Sequence, residues 1–257
     1  MVVYRPGAVV GAPDTWESAF RLGQPLAFPA GDAHALLPLA LYRSLGGLVE
    51  DAQRRPVLAP EVLTPVLQLL ADGEERGMFP FWLSQYENYE QVWQAYTDQR
   101  VNVAVTWSSL YLHMLPADSA VLPIPPLGTN SAQAGTLTNL TLATGWGWAV
   151  ADPVPERRQM ATRLAEFLTA SDFLSQWSEA SGYLPTRPSA LEGWANGTLK
   201  TAFSPITASA QARPSTDLLS SQGPVLKEAV LKMLKRESPA QDAAQVASDR
   251  LTAPQSR

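Results

Sequence analysis

Short apolar or β-branched runs alternate with stretches of helical period along most of this chain, which limits the fold to the α/β class. Val2-Val3-Tyr4 reads as a strand stopped by Pro6-Gly7, and a helix opens after Asp14-Thr15, either of which suits an N-cap. Residues 25–29 form a short buried strand in this reading. Residues 32–46 form a helix closed by Gly46-Gly47, with Pro38 kinking it or marking its start. From Glu61 to Arg76, Val62, Val66, Leu69 and Leu70 recur at helical spacing and Gly77 ends the run. A more aromatic helix is expected over 86–97, and strands over 102–107 and 121–126, the latter leading into a Gly-, Ser- and Asn-rich loop at 128–135. The run from Thr136 to Ala151 has strand composition broken by Gly145 and Gly147. On a regular strand Trp146 and Trp148 share a face. An amphipathic helix follows over 155–169, with Met160, Leu164, Phe167 and Leu168 on one side. A helix capped by Ser171 then runs to Gly182. The tail is read as all helix, from Pro224 to Arg236 and from Pro239 to Leu251, the last opened by a capping box at Ser238.

Composition narrows the function classes. The 257 residues carry a net charge of −5 and no basic stripe, so nucleic acid is an unsuitable partner. With no Cys there is no disulfide, thiolate nucleophile or Cys-bound zinc. The two His, His34 and His113, lie far apart and form no HExxH pair, so neither a metal nor a cofactor is implied. An enzyme acting on glycosides is disfavoured. Glu87 and Glu90 could share a helical face, but no acid–base motif, phosphate loop or nucleophile elbow surrounds them. No run is long enough to span a membrane. Met1-Val2-Val3-Tyr4-Arg5-Pro6 lacks the basic, apolar and small-residue parts of a signal peptide, and by itself predicts retention in the cytoplasm. Eight Trp and seven Tyr supply either core or flat surfaces on which sugar rings stack.

Several segments, in order, resemble the extracellular solute-binding proteins of the maltose-binding type. Val3-Tyr4 followed by Pro13-Asp14-Thr15-Trp16-Glu17, then Gly46-Gly47 and Leu58-Ala59-Pro60-Glu61, are similar to that family's motifs. So is the strand from Arg100 to Trp107, although Arg100, Val101 and Val105 replace the family's Gly, Lys and Met. The strongest likeness runs from Thr144 to Ala190. It contains Gly145-Trp146-Gly147-Trp148-Ala149-Val150, Ala165-Glu166-Phe167-Leu168-Thr169 and Ser181-Gly182-Tyr183-Leu184-Pro185-Thr186-Arg187. Ala212-Arg213-Pro214 and two final helices resemble the family's ending. Each motif is weak alone; their order over nearly the whole chain is specific.

The resemblance implies a periplasmic-binding-protein-like fold of two α/β lobes that lacks the N-terminal part of lobe one and ends in helices. Residues 1–130 would be the first part of lobe two, 131–188 a segment returning to lobe one, and 189–257 the C-terminal helices of lobe two. Residues 134–188 would then expose apolar surface. It further implies the binding component of an ABC importer, a monomer that carries a sugar or polyol in an interlobe cleft to permease subunits. The protein would be periplasmic or extracellular and membrane-associated, often as a lipoprotein. Glycerol phosphate or a polyamine is the alternative ligand, and a non-functional fragment the alternative status.

Six residues are candidates for the ligand site. Trp107 and Ser108 end an apolar strand, as a stacking platform with a hydroxyl beside it or as core. Gly145 allows close backbone approach and Trp146 could stack. Tyr183 could pack its ring while its hydroxyl reaches the cleft. Arg213 could fork onto hydroxyls or a phosphate, or be an exposed loop residue. Arg187 is a weaker candidate, Trp82 could line the cleft, and Trp16 and Tyr4 are assigned to structure.

Overall fold

Val2 and Val3 are wholly buried because their strand lies inside a sheet rather than at its edge. The computed structural model describes residues 1–127 and 139–252. The main sheet has the order β2-β3-β1-β4, built from β1 (Val2–Tyr4), β2 (Leu26–Ala27), β3 (Val103–Val105) and β4 (Ala120–Leu122). β1 runs antiparallel to β3 and β4, with Val2 opposite both Val105 and Leu122. β2 is parallel to β3. β5 (Thr141–Ala143) and β6 (Ala210–Ala212) form a separate parallel pair.

The helices are α1 (Trp16–Arg21), α2 (Leu36–Ser44), α3 (Pro60–Glu75), α4 (Tyr89–Thr97), α5 (Ser108–Met114) and α6 (Pro155–Leu168). They continue with α7 (Ser171–Ser181), α8 (Pro188–Glu192), α9 (Gly197–Ala208), α10 (Thr216–Leu234) and α11 (Ala240–Thr252). Thr15 caps α1 in a full capping box with Ser18. α3 presents Leu63, Val66, Leu67 and Leu70 to the core and packs against α2, α10 and α11. The α11 side of that contact is lined by buried Ala240, Ala243, Ala244 and Ala247, whose small side chains let the helices approach closely. Trp16 and Phe28 meet Phe79 edge-on, as expected for a structural Trp16. Gln222 is fully buried on α10 and donates to the carbonyls of Val49 and Val57, tying that loop to the helix.

The structure corrects the sequence reading in several places. The aromatic helix starts at Tyr89, because Asn88 caps it and a 3-10 turn at Phe81–Gln85 precedes it. Glu87 therefore lies before the helix and shares no helical face with Glu90; both are exposed. Ser171 is the first helical residue rather than the cap, and its Oγ bonds to Ser189 Oγ instead. α10 begins eight residues before Pro224, capped by Ser215, so Pro224 lies inside it. The tail is helical as expected, in α10 and α11, while β6, ahead of it and absent from the sequence reading, pairs with β5. Of the described part of the strand expected over 136–151, only Thr141–Ala143 pairs; residues 144–150 are irregular and exposed. Residues 136–138 and the loop expected at 128–135 lie outside the described residues.

The apolar surface anticipated between 134 and 188 is present in the described part. α6 buries no residue, and Met160, Leu164 and Phe167 are each more than half exposed. Among the described residues no helix is long and apolar enough to cross a membrane.

Candidate functional site

Trp107 sits where β3 hands over to α5, as the N-cap residue with extended backbone. Its ring is half-buried and packs on Tyr89, with centroids 5.1 Å apart and planes at 58°. One side of Trp107 is therefore core contact and the rest is open. Burial pushes the Tyr89 phenol well above its ordinary range, with the nearby Asp32 carboxylate adding to the rise. Tyr89 thus remains neutral behind the tryptophan. Ser108 is the half-buried first residue of α5.

Tyr183 stands near the other end of α5. Gly182 takes φ +69°, which folds the chain back as α7 ends, and the Tyr183 N–H reaches the Ser178 carbonyl at 3.1 Å. The Tyr183 ring then lies parallel to Trp177, 6.3 Å between centroids and 10° between planes. His113, on the last turn of α5, meets it edge-on at 5.6 Å and 85°. Tyr183 and Trp177 are 38% and 42% exposed, so both rings present surface to solvent while being held in place.

Gly145 and Trp146 follow β5. An added Cβ at Gly145 would meet nothing within 4 Å, and Trp146 is 86% exposed. Among the described residues no other part of the chain approaches this glycine closely, and with no strand at 144–150 Trp146 and Trp148 do not share a strand face. Arg213 leaves β6 beside the same point: its N–H donates to the Ala143 carbonyl at 2.9 Å, and the residue is half-buried. Arg187 is an exposed N-cap, and Trp82 is 38% exposed with its edge against Tyr86.

The candidates thus fall into a pair at the N-terminal end of α5, a cluster at its C-terminal end, and a pair where β5 and β6 finish. Among the described residues no aromatic contact links Trp146 to Trp107 or Tyr183. Two surface hollows, one of about 430 Å³ between α3 and α11, involve none of these residues. Tyr89, Trp177 and His113 were missed in the sequence. The signal for Trp177 was its place six residues before Tyr183 across a helix-ending glycine; His113, distant in sequence, gave none. No group of three or more His, Asp or Glu among the described residues could hold a metal ion.

A family model of the bacterial extracellular solute-binding protein matches residues 4–203. The chain belongs to that family. Among solved structures, this solute-binding protein is similar to maltose-bound MalE3 of T. maritima, at 19% identity and a TM-score of 0.68, covering 98% of this chain and 69% of that one. The sugar-binding protein MalE of Xanthomonas citri gives 13% identity and a TM-score of 0.73 over 98% and 67% of the two chains. The cyclic alpha-maltosyl-1,6-maltose binding protein of Arthrobacter globiformis gives 19% and 0.68 over 97% and 68%. At these identities the likeness establishes the two-lobe binding-protein fold, of which the chain spans about two thirds. No curated protein sequence matches it. The family and these structural relatives are binding proteins rather than enzymes.

Proposed function

We propose that this solute-binding protein is the substrate-binding component of an ABC importer, holding a carbohydrate in a cleft between lobes and delivering it, as a monomer, to membrane permease subunits. It works in the periplasm or outside the cell, associated with the membrane. Residues 1–130 and 189–257 belong to one lobe and 131–188 return to the other. The packing of α10 and α11 on α3 and the open face of α6 favour that division. The ligand residues are Trp107, Ser108, Gly145, Trp146, Tyr183 and Arg213.

The observation that carries the reading is the pair of half-exposed, rigidly backed aromatic surfaces at the two ends of α5, Trp107 on Tyr89 and Tyr183 on Trp177. A sugar ring offers flat C–H faces to such rings, and aromatic side chains held by neighbours bind without losing further rotamer freedom. The relatives named for maltose and a cyclic maltosyl sugar support a neutral oligosaccharide as ligand.

Isothermal titration calorimetry with maltose, maltotriose, glycerol 3-phosphate and a polyamine tests this. We expect saturable binding of a maltosaccharide, weakened about 2–10-fold by Trp107→Ala and by Tyr183→Ala, from the roughly 0.5–1.5 kcal/mol of one aromatic contact. Binding of glycerol 3-phosphate or the polyamine with no response to either sugar overturns it.

A further inference from the structure

The cluster at the C-terminal end of α5 holds a polar atom of defined character as well as stacking rings. His113 Nδ1 lies 2.6 Å from the carbonyl oxygen of Ser109, four residues earlier on the same helix. A carbonyl oxygen only accepts, so the hydrogen of the neutral imidazole sits on Nδ1 and Nε2 keeps its lone pair. Two further contacts fix the ring. Its edge-to-face packing with Tyr183 sets its tilt. Gly182 lies against its other side: a Cβ there would fall 3.0 Å from both Cε1 and Nδ1. A Cβ there would push the imidazole aside by a few tenths of an ångström, and φ +69° itself favours glycine.

The ring is thus oriented by a carbonyl, an aromatic face and a glycine backbone, on a residue that is itself exposed. Among the described residues Nε2 has no hydrogen-bond partner, and no Lys or Arg stacks on the Trp177 or Tyr183 ring. The corner therefore offers two aromatic surfaces and one acceptor.

We propose that His113 is a specificity residue of the sugar site, its Nε2 accepting the 6′ hydroxyl of a neutral saccharide that lies against Tyr183 or Trp177, so that this corner takes the free hydroxyl in preference to its phosphate ester. The proposal rests on the carbohydrate-binding reading above. A hydroxyl has a hydrogen to place in the Nε2 lone pair. A phosphate dianion in place of that hydroxyl has only acceptors and meets the lone pair with its own. A site built to pair with a hydroxyl rejects an analogue that cannot supply the hydrogen.

The test compares maltose with maltose 6′-phosphate by calorimetry at pH 8, on the intact chain and on His113→Leu, His113→Gln and His113→Lys, with circular dichroism melts to confirm folding. The intact chain should bind maltose at least tenfold more tightly than the ester. His113→Leu should lose about 2–10-fold for maltose, the worth of one ordinary hydrogen bond, and little for the ester. His113→Gln, which retains an acceptor, should recover part of that loss. His113→Lys should narrow or reverse the preference. A merely structural role would shift both ligands together and leave the ratio unchanged. If all three folded variants keep the parent's ratio while Trp107→Ala still weakens maltose, the His113 proposal fails and the carbohydrate reading stands. If the intact chain prefers the ester, the proposal is likewise overturned. If it binds neither ligand, the carbohydrate reading falls and His113 falls with it.

Discussion

Gly223 lies inside α10, where ordinary helix propensity says alanine should do better. In an unconstrained helix Gly→Ala gains about 1 kcal/mol. Here a Cβ at 223 would stand 2.2 Å from the Ala33 carbonyl oxygen, 2.7 Å from His34 Cα and 3.1 Å from the Ala33 carbonyl carbon. All three neighbours are backbone, and that backbone is held. The Asp32 carboxylate accepts from the N–H groups of His34 and Leu36, each at 3.0 Å. On the far side Gly31 bonds to the Tyr86 carbonyl at 2.9 Å and has no room for a Cβ either. The segment is wedged between α10 and residues 84–86, so the helix itself must move. Overpacking of this kind costs about 1–3 kcal/mol, more where only backbone can yield. The net effect of Gly223→Ala should therefore be a loss of about 1–2 kcal/mol, a fall of about 2–8 °C in Tm for a chain this size. Gly197→Ala is the control: it opens α9 with nothing within 4 Å of the new Cβ, and should change stability by less than about 0.5 kcal/mol. Urea melts of the three proteins check this. A Gly223→Ala protein as stable as the parent or more so would refute the argument from backbone contact.

One other outcome follows from the packing. On α6, the double substitution Met160→Glu with Leu164→Glu should leave the urea midpoint within about 0.5 kcal/mol of the parent while lowering binding of a hydrophobic dye, because both side chains are exposed. A large drop in stability would mean that these side chains are buried in the chain in solution.

Local chemistry made much of the framework legible. Thr15 caps its helix through its own side chain, Gly77 and Gly182 adopt the left-handed conformation that ends helices, and the apolar spacing of α3 reads directly as its buried face. These features are settled within a few residues of one another, so sequence carries them. α10 was harder to see because Ser220-Ser221-Gln222-Gly223-Pro224 has the composition of a loop. It is helical where burial of Leu219 and Gln222, and the contact of Gly223 with residues 33 and 34, outweigh weak propensity. The run around Trp146 and Trp148 has strand composition but no partner strand among the described residues, and a strand without a ladder is not one.

The same division holds for the site. The aromatic and glycine motifs marked Trp107 and Tyr183 from sequence, because residue type alone limits what a half-buried ring or a left-handed turn can do. Only the tertiary structure set Tyr89 behind Trp107 and brought His113 against a tyrosine seventy residues away. Such pairings are made where elements distant along the chain meet, and local propensity does not record where that will be.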